Sequence, residues 1–122
     1  MTRPETCAEL LKTMVAFDTV NSNISDRADA ELPLAIYLED LARAIGLTVQ
    51  RLPVAGRGFN LLVSYQVDAR LPWLLFESHL DTVTAEGMTV DPFAGYVHDG
   101  RLYGRGACDT KGTGAAMLWA LR

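Results

Sequence analysis

A chain of 122 residues, 49% of them apolar and without excess Gly or Pro, can close one domain around a hydrophobic core and does not have a disordered composition. Its formal net charge of −4 excludes the basic footprint of a nucleic-acid binder, and its apolar runs fall far short of the roughly 20 residues that span a bilayer. Two isolated cysteines, Cys7 and Cys108, and an N-terminus (Met1-Thr2-Arg3-Pro4-Glu5) without a secretory apolar run point to a reducing, cytoplasmic compartment.

Residues 4–17 are predicted as an amphipathic helix. Cys7, Leu10, Leu11 and Met14 recur at i, i+3, i+4 and i+7, and Pro4 suits the first helical position. Residues 18–29, with two Asn and two Ser, read as a polar loop. A second helix is expected over 31–45, with Leu34, Leu38, Leu41 and Ile45 on one face and Gly46 as its C-terminal cap. The pattern then turns to strands. Residues 47–54 alternate, Gly56-Arg57-Gly58 marks a turn, and 59–67 is a second strand. Residues 71–78 hold the nearly unbroken run Trp73-Leu74-Leu75-Phe76 and are expected as a central strand buried on both faces. Residues 96–103 read as a hairpin with Asp99-Gly100 as its turn. Residues 111–122 read as a helix that ends without a stop signal. Helices, then strands, then a helix suit a sheet covered by helices on both faces.

Two stretches carry chemistry. The first is Glu77-Ser78-His79-Leu80-Asp81-Thr82-Val83, at the end of the expected buried strand. On an extended chain His79 and Asp81 point to the same side. The carboxylate can then hold the imidazole's other N–H and orient the ring as a metal ligand, at a strand end where α/β sheets collect their sites. His-x-Asp is equally compatible with a histidine that only hydrogen-bonds a neighbour. The second stretch is Gly104-Arg105-Gly106-Ala107-Cys108-Asp109-Thr110-Lys111-Gly112. Asp109 there suits a helix N-cap or a metal ligand. The stretch fits neither the phosphate loop nor the dinucleotide-binding pattern. His98 reads as a solvated turn residue and Cys108 as a non-ligand. Lys111 reads as the partner of a local carboxylate or backbone group, and Trp73 and Trp119 as core.

Taken together, Ser78-His79-Leu80-Asp81-Thr82-Val83, Asp91-Pro92-Phe93, Asp99-Gly100-Arg101-Leu102-Tyr103-Gly104-Arg105-Gly106 and Asp109-Thr110-Lys111-Gly112 resemble the co-catalytic zinc aminoacylase and exopeptidase family. That family includes acetylornithine deacetylase, succinyl-diaminopimelate desuccinylase and carboxypeptidase G. The resemblance implies an α/β three-layer sandwich with a mixed sheet between helices, of which residues 1–122 form the N-terminal half of the catalytic domain. It implies His79 as a ligand to one zinc, Asp109 as a carboxylate bridging two zincs, and Asp81 as the catalytic partner that orients His79. It also implies a cis Asp109–Thr110 peptide; Thr110 stands where relatives commonly have Met or Asp.

The implied activity is hydrolysis of N-acyl amino acids, with acetylornithine, and so arginine biosynthesis, as first choice. The alternatives are succinyl-diaminopimelate or a dipeptide, and, in a different class, a non-catalytic module. Zinc is the expected metal and cobalt an alternative. The family's general-base Glu-Glu pair, remaining ligands and lid or dimerisation domain are expected beyond Arg122, in a homodimeric parent. The 122 residues alone are accordingly expected to bind zinc weakly and to be inactive.

Overall fold

The computed structural model describes residues 3–56 and 58–122; Met1, Thr2 and the central residue of the Gly56-Arg57-Gly58 turn lie outside them. The first helix, α1 (Cys7–Ala16), starts later than its periodicity suggests. Thr6 is the N-cap: its Oγ1 accepts from the Glu9 amide at 3.1 Å, while the Glu9 carboxylate accepts from the Glu5 amide at 2.7 Å. Thr6-Cys7-Ala8-Glu9 is a capping-box pattern, and it leaves Pro4 outside the helix. Residues 18–29 are not wholly loop. Asn21 caps a single turn, α2 (Ser22–Ser25), by accepting from the Asn23 amide at 2.9 Å.

The third helix, α3 (Leu32–Ala44), buries Leu34, Leu38 and Leu41 on the expected face. Gly46 ends it at φ +85°. The Gly46 amide donates to Arg43 O and the Leu47 amide to Ala42 O, the paired bonds of a Schellman stop. Leu47 then packs on Ala42, beside Val49. Glu39, in the same helix, is 7% exposed yet charged. Arg43 and Arg51 clasp its two oxygens at 2.8 and 2.6 Å. Those hydrogen bonds hold its carboxyl below the ordinary carboxylate value and tie α3 to the following strand.

Strands β1 (Thr48–Pro53) and β2 (Phe59–Ser64) pair antiparallel, Val49 opposite Val63. A second antiparallel pair, β3 (Tyr96–His98) and β4 (Arg101–Tyr103), is the expected hairpin. Asp99 and Gly100 both have positive φ, as a tight primed turn needs. A kinked helical turn, Ala107–Gly112, leads into α4 (Thr113–Ala120). The main core joins Leu10 and Met14 of α1, Leu34, Leu38 and Leu41 of α3, and Ala115 of α4. Trp119 packs against its edge. No helix among the described residues is long and apolar enough to cross a membrane.

Residues 71–78 depart from expectation. They form no strand, and Trp73, Leu74, Leu75 and Phe76 are 64%, 76%, 78% and 50% exposed. Trp73 is therefore not core. Among the described residues no backbone ladder pairs this stretch with another strand, and the side chains of 73–76 stand exposed. An apolar run records a demand for burial but supplies neither the neighbouring strand nor the covering helices. The same shortfall shows in the sheets. Among the described residues there are two separate two-stranded antiparallel pairs and one parallel bridge, Val20 to Thr82. These are mixed helices and small antiparallel sheets rather than a mixed sheet between two helical layers.

Candidate metal centre

Residues 78–82 run extended beneath residues 17–21 and are fixed to them by short-range bonds. The Thr19 hydroxyl donates to Leu80 O at 2.7 Å. The Thr82 amide donates to Thr19 O at 2.9 Å, and the Asn21 amide to Thr82 O at 2.8 Å. Thr19 and Thr82 are almost fully buried, so these bonds are shielded from water and correspondingly firm. The strip that carries His79 and Asp81 thus has a defined backbone even though the run before it has no partner.

The opposite wall is the segment from Gly104 to Gly112. The Arg105 amide donates to Pro92 O at 2.7 Å, which joins the Asp91-Pro92-Phe93 turn to the glycine-rich stretch. Gly106 has φ +78°, and a Cβ there would lie 2.6 Å from Thr82 Cγ2. Only glycine lets the two walls meet this closely. The Lys111 amide bonds back to Gly106 O over five residues. The Lys111 ammonium, 1% exposed, donates to Phe17 O at 2.8 Å, so it partners backbone at the C-terminal end of α1. Burial draws its pKa down to about 8, with the charge of Asp18 opposing. The Asp109–Thr110 peptide is cis, the isomer the resemblance implies. Asp109 caps neither the kinked turn nor α4, which have Gly106 and Gly112 at those positions. Its carboxylate is left pointing toward His79.

His79, Asp81 and Asp109 come together at one end of an open cleft of about 250 Å³. His79 Nδ1 lies 3.0 Å from Asp81 O and 3.1 Å from Asp81 Oδ1. His79 Nε2 lies 3.1 Å from Asp109 Oδ1. Nδ1 faces two acceptors and Nε2 one, which favours the ring proton on Nδ1. In the neutral ring Nε2 then has a lone pair aimed at a carboxylate oxygen. Two lone pairs hold that position only with positive charge between them, either a second proton or a cation. Burial of the ring opposes its charge, but the Asp109 hydrogen bond, the Asp81 carbonyl and both carboxylate charges outweigh it and raise the imidazole pKa.

The same donors fit a metal. An imidazole nitrogen and a carboxylate oxygen are ordinary zinc ligands, and His79 Nε2 and Asp109 Oδ1 are the atoms that would hold such an ion. Among the described residues no group of three or more His, Cys, Asp or Glu is gathered that could hold an ion. Cys108 is exposed and free. His98 pairs with its exposed neighbour Asp99 at 3.3 Å and stacks on Tyr96.

Residues missed in the sequence are those of the brace. Asn21 Nδ2 donates to Asp81 Oδ2 at 2.7 Å across 60 positions, and no spacing rule marks such a pair. The one local signal is Asn21 preceding Ser22-Asn23, a capping pattern.

Residues 75–122 match the model of peptidase family M20/M25/M40. The matched stretch contains His79, Asp81 and Asp109, and it supports the broad peptidase family, a metallopeptidase or amidohydrolase class with a hydrolase parent. That family is generally metal-dependent.

Proposed function

We propose that the chain is the N-terminal half of the catalytic domain of a metal-dependent amide hydrolase, with His79 and Asp109 as metal ligands and Asp81 holding His79. The observation that carries this reading is the opposed pair, His79 Nε2 and Asp109 Oδ1 at 3.1 Å, with Nδ1 already committed to Asp81. A zinc or cobalt ion bound there would supply Lewis acidity for cleaving an amide. The chain's own contribution is orientation. Asp81 fixes the imidazole's tautomer, and the cis turn and Gly106 present Asp109 to it. Asp109, with its side chain 89% exposed and Oδ1 facing His79, is the carboxylate we assign to bridging two ions. Acetylornithine is the first substrate choice within the N-acyl amino acids, then succinyl-diaminopimelate or a dipeptide. The remaining ligands, the general base and the lid belong to further chain in a cytoplasmic homodimeric parent, whose added strands and helices would complete a three-layer sandwich.

Zinc titration of the 122-residue chain, followed by NMR at the His79 ring, tests the reading. Two protein ligands are fewer than the three usual for catalytic zinc, so weak binding is expected, with loss of the ring response in Asp109→Ala and loss of binding in His79→Ala. Binding that survives both substitutions unchanged overturns the assignment. So does measurable turnover of acetylornithine by the isolated chain, which would show that it holds a complete site.

A further inference from the structure

The residues bracing the site include one whose position exceeds what fold stability requires. Asn21 sits 60 residues before Asp81 in sequence, outside the stretch matched by the family model. Its side chain uses both ends. The carbonyl oxygen accepts from the Asn23 amide at 2.9 Å, starting α2. That contact settles which way the carboxamide faces, because an N–H can be met only by the oxygen. The amide nitrogen is thereby turned to Asp81 Oδ2 at 2.7 Å. The backbone of Asn21 is fixed as well, through its amide bond to Thr82 O and the neighbouring Val20–Thr82 bridge.

Asp81 Oδ2 receives Asn21, while Oδ1 stands 3.1 Å from His79 Nδ1, beside the Asp81 carbonyl that Nδ1 meets at 3.0 Å. A free aspartate side chain at 35% exposure could rotate about χ2 and carry its charge away from Nδ1. With Oδ2 held, rotation breaks a charge-assisted bond. The sequence of contacts therefore runs Asn21 to Asp81 to His79 to Asp109.

We propose that Asn21 is a positioning residue for the metal site, locking the Asp81 carboxylate beside Nδ1 so that the His79 ring proton stays there and Nε2 is left free for a cation. This rests on the metal-site reading above for its consequence, but its direct readout, the tautomer of the metal-free ring, does not. The informative variant is Asn21→Asp. It keeps an oxygen to cap the Asn23 amide, removes the donor, and sets a second carboxylate against Asp81. Asn21→Ala removes cap and donor together, and circular dichroism reports whether each variant is folded.

Long-range 1H–15N NMR of the His79 ring, at alkaline pH where it is neutral, is expected to show the Nδ1–H form in the unsubstituted chain and a mixture of tautomers in Asn21→Asp. Zinc titration of the same samples is expected to weaken by about 3- to 10-fold, toward the lower end of what loss of an outer hydrogen-bonding partner costs. An Nε2–H ring in the unsubstituted chain overturns the proposal without any variant. An unchanged tautomer in folded Asn21→Asp, with zinc affinity within about twofold, overturns it too. If the tautomer shifts while zinc affinity proves insensitive to His79→Ala, the positioning role of Asn21 stands and the metal reading falls.

Discussion

Replacing Gly106 by alanine probes the closest approach in the site, and its cost can be built from separate parts. The backbone holds φ +78° there, a conformation that costs an L side chain about 1 kcal/mol. The new Cβ would also stand 2.6 Å from Thr82 Cγ2 and 3.3 Å from Lys111 Cδ. Thr82 and Lys111 are 5% and 1% exposed, so neither side chain can swing into solvent, and overpacking of this kind costs about 1–3 kcal/mol. The expected destabilisation is therefore about 2–4 kcal/mol, a large share of the 5–15 kcal/mol typical of a domain. Gly100→Ala is the control, because its φ is +72° and a Cβ there meets nothing within 4 Å. It should lose only the backbone part. Thr82→Ser deletes the clashing methyl, so in a double-mutant cycle it should recover about 1–2 kcal/mol of the Gly106→Ala loss. Urea unfolding with unchanged m-values reads all five species. If Gly106→Ala costs no more than Gly100→Ala, or the cycle shows no coupling, the two walls do not meet as described.

Leu34→Ala, in a fully buried position, should cost about 2–5 kcal/mol, whereas Leu74→Lys, at a side chain 76% exposed, should stay within about 0.5 kcal/mol. A Leu74→Lys loss near that of Leu34→Ala in the same urea series would mean the 73–76 run is packed after all. Glu39 supplies a pH signature. Its carboxyl is held below the ordinary 4.5 by its bonds to Arg43 and Arg51, so its stabilising contribution is complete above 4.5 and is lost as the pH falls through the depressed value. Glu39→Gln should then be less stable than the parent near neutrality, with the gap closing in acid. A gap that stays constant across the pH series contradicts the ion-pair account.

What could be read from the sequence divides along the range of the physics involved. Local rules were sufficient for α3 and its Gly46 stop, for the Asp99-Gly100 hairpin, and for the apolar stripe of α1, because each depends on residues within a turn or two. The start of α1 was also local, but Pro4 drew attention from the Thr6–Glu9 cap. The expected strand at 71–78 failed for a different reason. Its composition states a preference for burial, and burial needs partners that periodicity cannot supply. Of the site, His79 and Asp81 were within reach of alternation, whereas the approach of Asp109 rested on resemblance. Asn21, Thr19 and Lys111 act across 60 to 94 positions; they are visible only once the chain has folded.

That division also explains how the His79–Asp109 pair can keep its geometry when the run beside it is bare. The stretch 72–76 has no ladder, yet 78–82 is pinned from one side by Thr19 and Asn21 and from the other by the close contact at Gly106. Lys111 links those two braces, since its backbone closes the kinked turn on Gly106 and its ammonium grips Phe17, just before the 18–21 loop. The braces at Thr19, Asn21 and Lys111 are short polar contacts and the one at Gly106 is a close steric fit; none is a share of the apolar core, which lies among α1, α3 and α4. The opposed nitrogen and oxygen therefore depend on hydrogen-bond satisfaction more than on hydrophobic burial. Loss of one brace should disturb the His79–Asp109 relation before it unfolds the chain, and enlarging the core should leave that relation unimproved.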